Sequence, residues 1–112
     1  MADGLDLPPR HRRAIQALFV RHLPDVEVWV FGSRVDGRSH GGSDLDLVLR
    51  APGLVPIPVA RLARLKEALR DSNIPFLVEV HDWARLPTAF RRRIKRNHVV
   101  LCEWIGNPDK GS

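Results

Sequence analysis

The chain is expected to be an α/β (α+β) protein, a single domain built on a small mixed β-sheet with helices packed on it. Three observations predict this. Short apolar runs alternate with longer segments of helical periodicity, in the order α-β-β-α-β-α-β. A length of 112 residues suits one domain, enough to hide roughly 60–70% of the unfolded chain's surface. Its 44% hydrophobic and 28% charged residues are those of a globular chain.

Pro8-Pro9 opens a helix over residues 10–23, with Ile15, Leu18, Phe19 and His22 on one face. Pro24 ends it. Residues 26–31 are β-branched and aromatic enough for a strand, with Trp29 and Phe31 on one face, expected beneath the first helix. Asp36-Gly37 and Gly41-Gly42 mark a loop. His40 within it either touches a substrate or is solvated. Residues 44–50 form the second strand, and Pro52, Pro56 and Pro58 a connector. A helix over 58–72 buries Val59, Leu62, Leu65 and Leu69. After Asn73-Ile74-Pro75 comes a third strand, 76–81, then a helix over 88–97 with Phe90 and Ile94 inward, and a short strand at 99–101. The domain is expected to span residues 1–105, and 106–112 to be a frayed tail.

No apolar run approaches the ~20 residues of a membrane span. Met1-Ala2-Asp3-Gly4 lacks the pattern of a secretory signal. Cys102, the single cysteine, forms no internal disulfide, and a cytoplasmic location is expected. The formal charge of +5 points to anionic partners or to the base composition of the source genome.

Chemistry concentrates where the first strand meets the second. Val28-Trp29-Val30-Phe31 stops at Gly32-Ser33-Arg34, and Ser43-Asp44-Leu45-Asp46-Leu47 opens the next apolar run. In a strand, Asp44 and Asp46 project to one side, with Leu45 and Leu47 toward a core. Two carboxylates roughly 5–7 Å apart repel by about 2–3 kcal/mol at an effective dielectric near 20. A cation between them removes that cost, and Mg²⁺ with its oxygen preference is the natural one. Gly32 lets backbone approach a ligand closely. Ser33 adds a hydroxyl, and a helix starting there directs N–H groups at an anion.

The string Phe31-Gly32-Ser33-Arg34-Val35-Asp36-Gly37 through Ser43-Asp44-Leu45-Asp46-Leu47 resembles the signature of the DNA polymerase β-type nucleotidyltransferase superfamily. Within it, the resemblance is to the minimal nucleotidyltransferases, usually encoded beside a helical HEPN-domain protein. It covers about residues 15–103 and implies a polymerase β palm-like fold.

Transfer through two metal ions usually wants a third carboxylate. The third strand places Leu77, Glu79 and His81 on one face and Phe76, Val78, Val80 and Asp82 on the other. A charge between two valines in mid-strand is costly unless paired or metal-bound, which favours Glu79. Asp82 is read as solvated or as a helix-entry cap. The family more often carries Asp at this place. His81 is either a partner supporting that carboxylate or a surface histidine.

The resemblance implies transfer of NMP, AMP from ATP, to an acceptor with release of pyrophosphate. Asp44, Asp46 and Glu79 are then the catalytic residues and ligands of two Mg²⁺ ions, with Glu79 also the candidate general base. Gly32 and Ser33 hold the β/γ-phosphates, and Arg34 and Ser43 either contact phosphate or fix the loop. The implied partner is a HEPN toxin, inactivated by adenylylation of a tyrosine, in a type VII toxin–antitoxin pair. The chain has no tyrosine of its own. Arg91-Arg92-Arg93-Ile94-Lys95-Arg96 is part of such an interface, a nucleic-acid contact or a solvated face. The alternative function is a noncatalytic nucleotide-binding module that neutralises its partner by complex formation. An aminoglycoside-type modifier would need a substrate domain that these residues lack.

Overall fold

A computed structural model describes residues 4–40 and 42–103; the tail expected at 106–112 and the boundary at 105 lie outside the described residues. The elements are helix α1 (Pro9–His22), strand β1 (Glu27–Phe31), the short helix α2 (Ser33–Asp36), β2 (Leu45–Arg50), α3 (Val59–Arg70), β3 (Val78–Asp82), α4 (Thr88–Arg96) and β4 (Val99–Cys102). Single 3₁₀ turns at Pro52–Leu54 and Trp83–Arg85 follow β2 and β3. Among the described residues no helix is long and apolar enough to cross a membrane.

The sheet runs β3-β2-β1-β4. β1 pairs antiparallel with β2 and β4, whereas β2 and β3 are parallel. That parallel pair needs a long crossover, and the connector with α3 supplies it. The sheet is mixed, as expected.

Both faces of the sheet are covered. Val28, Val30, Leu45, Leu47 and Leu49 pack under α1 and α3 with Ile15, Phe19, Leu65 and Leu69. On the opposite face Trp29 and Val48 pack against Trp83 and Ile94. Trp29 and Phe31 thus share a face, but it is the α4 face rather than the one beneath α1. Trp29 meets Trp83 edge-on with centroids 5.4 Å apart and stacks on His98 at 3.8 Å. Because β1 is apolar on both faces, its sequence did not distinguish them.

Val59, expected in the buried stripe of α3, is 69% exposed. Counted back at about 100° per residue, the stripe through Leu62, Leu65 and Leu69 arrives at residue 58 instead. The third strand begins later than expected, at Val78. Phe76 instead covers the Arg34 guanidinium, 4.1 Å from its ring centroid.

Candidate active site

The site is built on two neighbouring strands. The parallel register sets Asp46 opposite Glu79 and Val48 opposite His81. On the other side of β2, Phe31 faces Asp46. Directly paired residues project to one face of a sheet, so Phe31, Asp46, Glu79 and His81 all stand on the α4 side. Asp46, Glu79 and His81 each offer a ligand atom, and these atoms lie within 4.8 Å of one another. The rings of Phe31 and Phe90 touch each other, with centroids 5.6 Å apart, and both meet His81, with centroids 5.7 and 6.3 Å from its own.

Burial pushes the Asp46 carboxyl above its ordinary value; Glu79 adds to that effect, His81 opposes it, and Asp44 adds a smaller push. Negative charge has therefore been gathered where water is partly excluded, and a cation would relieve it. Two carboxylates and an imidazole are donors for a divalent metal, so the residues fit one.

Gly32 closes the site from β1. Its φ of +85° is a left-handed conformation, and a Cβ there would lie 2.5 Å from Asp46 Oδ2. The carboxylate occupies space that only glycine leaves open. α2 begins at the next residue, with the N–H groups of Val35 and Asp36 both donating to Gly32 O at 3.0 Å. A cleft of about 180 Å³ borders Gly32, with Arg38, Phe90, Arg93 and Asn97 on its walls. A larger apolar groove of about 290 Å³ lies between α1 and β4, on the opposite face from the carboxylates. Its Cys102 thiol is pushed up to about 11 by burial, against the opposing charge of Arg12, so it stays protonated.

The expected site residues fall into two sets. Asp46, Glu79 and Gly32 come together, with Ser33 heading α2 beside them. Asp44 is exposed and just precedes β2. It lies outside the 4.8 Å group, although its charge reaches Asp46. Arg34 and Ser43 secure the loop. Arg34 is 2% exposed and donates through Nε and Nη2 to Ser43 O at 3.1 and 2.7 Å, and through Nη1 to Asp6 O at 2.8 Å. Of its two expected roles, these bonds serve the loop-fixing one. The Ser43 hydroxyl accepts from the His40 N–H at 2.9 Å, while His40 Nδ1 accepts from the Gly42 N–H.

Glu79 is half-exposed on an edge strand, so the cost of burying a charge in mid-strand does not apply. Its register opposite Asp46 is the stronger argument for it. Asp82 is buried rather than solvated. It caps the turn at Trp83–Arg85 through Ala84 N–H and accepts from Ile57 N–H and Arg85 Nε. The cap half of its expected role holds. Leu5–Leu7, to which the sequence alone assigned no role, packs two leucines into the core, and Asp6 N–H donates to Arg34 O. The alternation Leu5-Asp6-Leu7 was the available signal.

The mixed sheet sets a carboxylate pair beside a glycine-ended strand and a one-turn helix, and the family that the chain matches makes it a nucleotidyltransferase. Residues 14–104 match the family described as Polymerase beta, Nucleotidyltransferase, and the chain belongs to it. It is 35% identical over 99 residues to the probable protein adenylyltransferase MntA of Haemophilus influenzae, covering 88% of this chain and 85% of that one. A chain in a crystal structure of a toxin–antitoxin with AMP-PNP superposes with a TM-score of 0.67 at 21% identity, over 81% of this chain and 72% of that one. At that identity the likeness speaks to fold alone.

Proposed function

We propose that this nucleotidyltransferase moves AMP from ATP onto a tyrosine of a HEPN-domain toxin, as the antitoxin of a type VII pair. The observation that carries the catalytic reading is the Asp46–Glu79 register pair pressed against Gly32. The H. influenzae relative, named a probable protein adenylyltransferase, supports AMP as the group and a protein as the acceptor. The toxin–antitoxin neighbour with AMP-PNP agrees in fold.

Asp46 and Glu79, joined by Asp44 from the loop, would hold two Mg²⁺ ions. When bound, such ions neutralise charge on the triphosphate and lower the pKa of the attacking hydroxyl. Gly32 and Ser33 supply the surface against which the β/γ-phosphates rest, because backbone without a Cβ allows close approach. Glu79, more exposed than Asp46, would take the acceptor's proton. Arg34 and Ser43 keep the loop that carries Asp44 in position.

The test incubates the chain with ATP, Mg²⁺ and the partner encoded beside it. Mass spectrometry is expected to find AMP on a partner tyrosine, and none with Asp44→Asn or Asp46→Asn. If the double aspartate variant still protects cells from that partner, neutralisation is by complex formation, the noncatalytic alternative.

A further inference from the structure

The third donor of the cluster is a nitrogen. His81 lies opposite Val48 in the register, and its ring meets those of Phe31 and Phe90 on one side. Its Nε2 is 3.9 Å from Glu79 Oε2, too far for a hydrogen bond to hold it there. An octahedral ion with bonds of about 2.1 Å sets adjacent donors about 3 Å apart and opposed donors about 4.2 Å apart. The observed spread of 4.8 Å reaches that range by side-chain rotation alone, since Glu79 and His81 are both partly exposed.

We propose that His81 is a metal ligand and that the site therefore prefers a first-row transition ion, Mn²⁺ as its simplest case, to Mg²⁺. The inference rests on reading this cluster as the metal site of the transfer reaction. Mg²⁺ favours all-oxygen, largely hydrated coordination, and an imidazole in its shell costs it more than it costs Mn²⁺. Two carboxylates with one imidazole form a mixed set that Mn²⁺ accepts in the same octahedral geometry.

The test uses the full chain and metal alone, with no turnover. Bound Mn²⁺ is measured by electron paramagnetic resonance, with Mg²⁺ as competitor, and nitrogen coordination by pulsed echo modulation from ¹⁴N. The wild-type chain is expected to show ¹⁴N modulation and to bind Mn²⁺ at least about tenfold more tightly than Mg²⁺. His81→Ala should abolish the modulation and weaken Mn²⁺ about tenfold while leaving Mg²⁺ within about twofold. His81→Gln, which keeps the side-chain volume and offers an oxygen, should likewise lose selectivity. Mn²⁺ bound without ¹⁴N modulation, or selectivity unchanged in His81→Ala, overturns the role of His81 alone. Mn²⁺ bound equally well by Asp46→Asn overturns the metal-site reading and this inference with it.

Discussion

Asp46 and Glu79 face each other across the parallel pair of β2 and β3, and Gly32 leaves open the space that the Asp46 carboxylate fills. Three segments far apart in sequence thus converge on one carboxylate. The consequences can be separated by substitution, because some nearby acidic and basic groups serve the fold and others the chemistry.

Gly32→Ala places a methyl in the space of Asp46 Oδ2 and forces a left-handed φ on alanine. The conformational part costs about 1–3 kcal/mol, because this extended positive-φ region is essentially reserved for glycine. Thermal unfolding should report that loss. Nucleotidyl transfer should fall further than stability explains, by about 10²-fold for a carboxylate displaced by an ångström.

Asp82 and Glu79 should separate cleanly. Asp82→Ala leaves Ile57 N–H, Ala84 N–H and Arg85 Nε without their acceptor and is expected to cost about 2–3 kcal/mol in denaturant unfolding. Glu79→Gln, on a half-exposed edge position, should leave stability within about 0.5 kcal/mol and remove metal binding, read by isothermal titration.

Arg34→Ala removes a buried fork that joins Asp6 O to Ser43 O. Unfolding free energy should drop by about 2–4 kcal/mol. Arg34→Lys should recover little of it, since an ammonium cannot reproduce the planar fork.

The raised Asp46 pKa fixes a sign for the metal-free protein. The folded state holds that proton more tightly than the unfolded state, so this group favours folding most below its ordinary value of 3.8. That contribution is lost as pH rises through the elevated folded value. Metal-free Asp46→Asn should therefore be more stable than wild type at neutral pH, with the gap closing as pH falls toward 3.8. Thermal melts across that pH range, with chelator present, measure it.

Much of this was legible because strand geometry is local. Alternation alone separated Asp46 from Leu45 and Leu47, and Glu79 from Val78 and Val80, and the order of elements followed from where apolar runs met proline and glycine. What sequence did not carry was set by distant partners. Trp29 faces α4 because both sides of the sheet are covered, and two apolar faces read alike. Arg34 becomes a clamp because Leu5–Leu7 folds back onto it while the loop brings Ser43 O to its other edge. Asp82 is buried because Ile57 and Arg85 reach it from the connector and the next turn. Val59 was misread by one helical step.

The most direct measurement is transfer of label from α-labelled ATP to the partner chain by wild type, Asp46→Asn and Glu79→Gln, each shown folded by circular dichroism. The carboxylate pair as the reactive centre requires label in the wild type and a loss of about 10²-fold or more in both variants. Transfer by either folded variant within about twofold of wild type would contradict it.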